Sequence, residues 1–142
     1  MNDTEHGYNL NLTISDHGHC TALTVSGTLD RVSTPVMTAY VDAVWTRTPG
    51  PRLILDLGQV RRCDYHAVAV FAHALHRRST CLDATIVLVG VTGRLQRILR
   101  RTRLLERFDH AATRAEACTA LQPRLADSIG TAPERRHLSS WR

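Results

Sequence analysis

The chain is 142 residues long, 43% hydrophobic and 22% charged, with a formal net charge of +5. That size and balance suit one globular domain with a core that needs no staples, and no apolar run approaches the roughly 18 residues a membrane helix needs. The opening MNDTEHGYNLNL lacks the basic start and apolar stretch of a secretory signal, so a cytoplasmic location is expected.

Tyr8–Ile14 alternates polar and apolar residues, the mark of a half-buried strand, and Cys20–Ser26 does the same after the turn Asp16-His17-Gly18. Together they predict an antiparallel hairpin, which Gly27–Asp30 interrupts. Thr34-Pro35 predicts a helix start, with threonine as cap and proline in the first turn. Val36, Tyr40, Val41 and Val44 form its apolar stripe, and Thr48–Pro51 stops it. Leu53–Leu57 reads as a strand covered on both faces.

The stretch RRCDYHAVAVF, Arg61 to Phe71, hands that strand over to a second helix. Val68, Phe71, Ala72 and Leu75 are expected inward, His73 and His76 toward solvent, and the end near Arg77-Arg78. Thr85–Gly90 reads as another buried strand. A third helix runs from Thr92 to about Arg103, with Leu95, Ile98 and Leu99 inward and arginines outward. Thr113-Arg-Ala-Glu116 has capping-box spacing and opens a fourth helix carrying Ala117, Ala120 and Leu121. The order β-β-α-β-α-β-α-(β)-α predicts an α/β fold: a mixed sheet with an N-terminal hairpin and four helices. Residues 1–7 are expected to be an extension, 8–122 the domain, and 123–142 a flexible tail.

All 18 basic residues are arginine, a bias that reflects a GC-rich genome more than a selected property. Their distribution is more informative. Val91–Arg107 holds six arginines against Glu106, which equals the whole positive excess. Arg94, Arg97 and Arg101 are therefore candidates for a face that meets an acidic partner or a ligand. A nucleic-acid role is not expected, because neither stacking aromatics nor a docking motif accompanies the arginines.

Cys20, Cys63, Cys81 and Cys118 form no C-x-x-C pair, and buried, inert thiols are expected. Cys63, Asp64, His66 and His73 are competent ligand types, but only Cys63 and His66 are local usable donors, so no metal site is expected. Asp56 reads as an end-of-strand residue bonding loop N–H groups. No nucleophile–base motif or phosphate-cradling glycine loop is present. No enzyme activity and no cofactor are expected.

Val25–Asp30, Leu53–Leu57, Val60–Asp64, and Val89-Gly90 followed by Leu95, Leu99 and Leu104 occur in the order and spacing of a known family. Over Tyr8 to Leu121 the chain resembles the STAS domain, in particular the stand-alone bacterial anti-sigma factor antagonists. The resemblance implies a protein-binding module whose partner is an anti-sigma factor, of the serine-kinase type, and which frees a sigma factor by competition. It also implies a partner surface around Asp30 and Asp64, Tyr65, His66, Ala67 and Val68. In that family the loop carries a phosphoacceptor serine followed by glycine; here His66 and Ala67 stand at those places. A serine at a helix N-terminus gains nearly two negative charges when phosphorylated, enough to break an interface. His66 has no hydroxyl to esterify, so control by loop phosphorylation is not expected. His66 itself reads as a permanent contact, as a structural ring satisfying loop backbone groups, or as a site of phosphohistidine or pH sensing. Other readings on the same fold are a nucleotide or small-ligand sensor and a scaffold subunit of a larger assembly. A monomer or weak homodimer, with no membrane and no nucleic acid among its partners, is expected.

Overall fold

The computed structural model describes residues 4–5, 9–48, 50–81 and 83–122. The expected tail, with Trp141, lies outside the described residues. One sheet holds six strands in sequential order: β1 (Thr4–Glu5), β2 (Leu10–Asp16), β3 (Thr21–Leu29), β4 (Arg52–Cys63), β5 (Thr85–Val89) and β6 (Asp109–Ala111). β1, β2 and β3 pair antiparallel, and β3 through β6 pair parallel. The fold is the expected mixed sheet with a leading hairpin, and Thr4–Glu5, within the expected extension, pairs with Leu12 and Thr13 at its edge.

Four helices complete the domain: α1 (Thr34–Arg47), α2 (Ala67–Ser79), α3 (Gly93–Arg101) and α4 (Arg114–Leu121). Parallel neighbours laid down in one direction by right-handed crossovers must place their helices on one face. Accordingly Met37 and Val41 of α1, Phe71 of α2 and Leu99 of α3 share one core with Leu12, Val25, Leu55 and Leu88. The other face carries a smaller core in which Ala117 and Leu121 of α4 cover Ala22, Ile54, Val87 and Val89. Alternation along β4 and β5 thus splits each apolar run between two cores.

β3 and β4 are both longer than their apolar runs. Past a register shift between Thr24 and Ser26 the pairing resumes at Ser26↔Gln59, and past a second between Gly27 and Thr28 it runs on to Leu29↔Cys63. Gly27 makes this passage feasible: its φ is +101°, and a Cβ there would run into the Asn9 carbonyl oxygen. Beyond Leu57 the residues of β4 turn largely to solvent, so no burial pattern marks the extension.

The helix starts differ in detail from expectation. Thr34 is the first residue of α1, and Ser33 takes the cap position without a side-chain cap bond. Thr113 caps α4 as expected, its Oγ1 accepting the Glu116 N–H at 3.1 Å. In α2 the buried stripe is Ala67, Val70, Phe71 and Ala74, one position earlier than predicted, and Ala72 is exposed. The run Ala67–Phe71 is apolar throughout, so its composition leaves the phase of the helix undefined. Phe71 is fully buried and meets Phe108 edge to face at 6.0 Å between ring centroids.

His73 is not a solvent-facing residue. Its Nε2 lies 2.6 Å from Asp42 Oδ1 on α1, and Arg77 Nε donates to the same oxygen at 3.0 Å. This triad crosses between α1 and α2 and sets where α2 lies. Partial burial pushes the Asp42 carboxyl up, but the hydrogen bonds and charges of His73 and Arg77 outweigh that and hold it below its ordinary value. The carboxyl therefore contributes stability above its unfolded value, about 3.9, and loses it as pH falls through the lower folded value. The group is more than a third exposed, which screens the pair. Asp42→Asn should cost up to about 1 kcal/mol at pH 7, and its difference from the wild type should shrink steadily as pH falls below about 3.9. Urea denaturation at pH 7 and at a series of lower pH values measures both.

Candidate functional site

Parallel strands end at one rim of a sheet, and the connections that leave that rim are available for binding. β3 and β4 end there together. The Asp64 N–H donates to the Leu29 carbonyl at 3.1 Å, one step past the ladder, so the turn after β3 and the loop after β4 are fixed side by side.

The first of these is Asp30–Ser33. Asp30 Oδ1 accepts the backbone N–H groups of Val32 and Ser33, each at 3.0 Å. Ser33 is fully buried; its Oγ accepts the Asp30 N–H at 3.0 Å and donates to the Thr28 carbonyl at 2.7 Å. Hydrogen bonding from the Ser33 backbone is the chief reason the Asp30 carboxyl is held below its ordinary value, with Val32 and the nearby His66 adding to it against a desolvation that raises it. Asp30 thus shapes its own turn and lies within the electrostatic reach of the loop. Sequence reasoning missed Ser33, although Asp-x-x-Ser is itself a reciprocal capping spacing.

In the second segment, Asp64 ties down the turn that leads into α2. Its carboxylate Oδ1 accepts the His66 N–H at 2.8 Å, and its carbonyl accepts the Ala67 N–H at 3.0 Å. The His66 ring turns back to the same carboxylate, with Nδ1 3.1 Å from Oδ1. The ring's partner is therefore a side chain and not loop backbone, and just over half of the His66 side chain remains exposed. Tyr65 stands out from the loop and, with Val32 on the neighbouring turn, is one of two exposed large apolar side chains among the described residues.

Of the five loop residues expected to meet a partner, Asp64, Tyr65 and His66 reach the surface. Ala67 does not: it is the first inward position of α2 and is fully buried. Val68 is partly buried against the main core.

The arginines of α3 run alongside this loop. Arg94 Nε donates to the Cys63 carbonyl at 2.8 Å, and Arg101 Nη1 donates to the Tyr65 hydroxyl oxygen at 3.4 Å. Burial pushes the Cys63 thiol up, and Arg94 and Arg97 both act to lower it, which places Arg97 in the same neighbourhood. All three are exposed and recur at helical spacing, so loop and arginine stripe make one cationic, partly apolar surface.

Asp56 lies within β4 and not at its end, paired with Thr24 and Val89, and it bonds Gly58 N–H at 3.4 Å and meets Arg114 Nε at 3.4 Å. Cys63, Asp64, His66 and His73 do not converge as ligands. Among the described residues the metal-competent cluster is a different one, His19, Cys20 and Cys118. A groove of about 500 Å³ between α3 and β6 is lined by Gly90, Thr92, Gln96, Leu105 and His110 among others, and by none of the three arginines.

A sequential sheet, antiparallel at its leading hairpin and parallel beyond it, with helices on both faces, defines a mixed α/β fold. The chain belongs to the STAS family: the family model described as "Mlab, STAS domain" matches residues 12–108, well over half of the sequence. Among curated proteins, no sequence matches. Among solved structures, the chain is similar to an anti-sigma factor antagonist from Mycobacterium paratuberculosis, with 22% identity, a TM-score of 0.70, and coverage of 80% of this chain and 95% of that one. An anti-sigma-factor antagonist (STAS) domain protein from Planctomyces limnophilus is 14% identical with a TM-score of 0.70, covering 78% and 97%. The Bacillus cell fate determinant SpoIIAA in its phosphorylated form is 12% identical with a TM-score of 0.58, covering 86% and 100%. At these identities the likeness shows the fold.

Asp64→Ala should remove the bond that orders the start of α2. A loss of about 1 kcal/mol is expected from the missing cap, read as a lower urea midpoint with an unchanged slope.

Proposed function

We propose that this protein is a non-enzymatic, cytoplasmic, protein-binding regulator that engages an anti-sigma factor of the serine-kinase type and so frees a sigma factor. The observation that carries this reading is the single surface made by Val32, Tyr65, His66 and the arginines Arg94, Arg97 and Arg101. An exposed aromatic whose hydroxyl meets Arg101, at one end of a row of arginines, fits a protein interface with an acidic partner.

This copy is not switched by phosphorylation of its loop. SpoIIAA, an anti-sigma factor antagonist of the same fold, exists in unphosphorylated and phosphorylated forms. Here the helix start holds His66, and Tyr65 carries the one hydroxyl among residues 64–68. That hydroxyl sits at the far end of a ring that points away from the helix start, against Arg101. Binding is thus constitutive with respect to a loop kinase. Sensing of a nucleotide by the arginine helix is the weaker reading, because the groove beside α3 lies away from those side chains.

Tagged protein incubated in lysate of its source organism should retain a kinase-fold anti-sigma factor. Tyr65→Ala should weaken that interaction about tenfold or more, measured by calorimetry with the purified partner. Incubation with the partner and ATP should leave the intact mass unchanged. Added phosphate on residues 64–68, or binding indifferent to both Tyr65→Ala and His66→Glu, would overturn the reading.

A further inference from the structure

The second face of the sheet holds a cluster that the binding surface does not use. His19 and Cys20 are adjacent, at the end of the β2–β3 hairpin, and Cys118 comes from α4, 98 residues after Cys20. Cys20 Sγ lies 3.4 Å from Cys118 Sγ, and Cys118 Sγ lies 3.3 Å from His19 Nε2. All three donor atoms fall within 4.8 Å of one another. We propose that His19, Cys20 and Cys118 form a site for a thiophilic divalent cation, Zn²⁺ first, which clamps α4 to the hairpin.

Three arguments support the assignment. The donor set, two thiolates and an imidazole, is the one Zn²⁺ selects over hard cations. The spacing is close to what is needed: with Zn–S near 2.3 Å and Zn–N near 2.0–2.1 Å, tetrahedral donors stand roughly 3.5–3.8 Å apart. The Cys20–Cys118 and Cys118–His19 pairs therefore need to open by only a few tenths of an ångström, and the third pair lies within 4.8 Å. The donors are also pre-positioned, since the Asp16 carboxylate bonds Gly18 N–H at 2.9 Å and the His17 N–H bonds the Cys20 carbonyl at 2.9 Å, fixing the turn.

Charge and access agree with this. Binding releases one proton from each thiol, so the dication and two thiolates cancel, as a partly buried position requires. His19 Nε2, which lies 2.9 Å from the Cys118 carbonyl oxygen, would turn its lone pair to the metal and carry its proton on Nδ1. Cys20 is buried while His19 and Cys118 are half-buried, so the fourth position opens to solvent and can hold water. Arg52 is engaged at the end of α4, its Nη1 donating to the Leu121 carbonyl at 3.1 Å, which helps hold that helix over the hairpin. The site lies at the start of β3, roughly 30 Å along that strand from the loop at its end, and it stands or falls independently of the partner proposed above.

The test uses the full chain without a histidine tag, reduced and stripped of metal, titrated with Co²⁺ and then Zn²⁺. One equivalent of Co²⁺ should give the thiolate charge-transfer and tetrahedral d–d bands, Zn²⁺ should displace it, and Zn²⁺ should raise Tm. Cys118→Ser and His19→Ala should each weaken binding by at least about a hundredfold, while Cys81→Ser leaves it unchanged. A measurement on the wild type needs no variant to fold: Zn²⁺ should protect Cys20 and Cys118, and not Cys81, from alkylation mapped by mass spectrometry. The proposal fails if the reduced wild type shows no cobalt–thiolate band. It fails equally if the band persists in Cys118→Ser, or if alkylation of Cys20 and Cys118 ignores Zn²⁺. A Cys20–Cys118 disulfide that forms in place of metal binding would make the pair a redox couple and also overturn it.

Discussion

The bond from the Asp64 N–H to the Leu29 carbonyl is where the geometry of this domain is decided. Parallel strands need not end at the same level, and β3 and β4 would part after Thr24 if the ladder stopped at its first register shift. The positive φ of Gly27 lets the pairing continue to Leu29↔Cys63 instead. Everything at the rim follows. The Asp30 turn and the Asp64 loop emerge together, α2 starts beside the turn that precedes α1, and the Asp42–His73–Arg77 triad can close between the two helices. Arg94 then finds the Cys63 carbonyl, which draws α3 and its arginine stripe to the same place.

Within this frame the loop solves the problem of a helix start in an unusual way. The first N–H groups of a helix need partners, and a small hydroxyl at the mouth is one common answer. Here the carboxylate of Asp64 takes the His66 N–H and also the His66 ring. The position therefore has no structural need of a serine, and a bulky aromatic pair is accommodated by facing outward. What the loop presents at the start of α2 is an exposed ring whose hydroxyl meets Arg101.

Much of this was legible in the sequence, for definite reasons. Alternation marked β2 and the first part of β3, and the continuous apolar runs marked the cores of β4 and β5, because burial on one or two faces is the property those patterns report. The turn at Asp30 and the loop at Asp64 followed from strand and helix order. The extension of β4 was invisible, since solvent-facing residues such as Gln59, Arg61 and Arg62 carry no pattern. The phase of α2 was off by one because alanine and valine fill both candidate faces. The partner of His73 and the meeting of His19, Cys20 and Cys118 were out of reach for another reason: the partners lie 31, 98 and 99 residues away, and spacing rules reach only as far as a turn of helix.

Sequential strand order also has a bearing on how the domain comes to exist. Each strand pairs with the one made just before it, so the sheet can grow as the chain is synthesised, with little entropy spent on closing long loops. The exception is α4, which returns from the far edge, after β6, to the hairpin at the other side. A nascent chain that has reached only the end of α3 has the rim with its loop and arginine stripe but an uncovered second face, with Ile54 and Val87 lacking the cover of Ala117 and Leu121, and with His19 and Cys20 not yet joined by Cys118. Among the described residues, the helix made last is the one that covers that face.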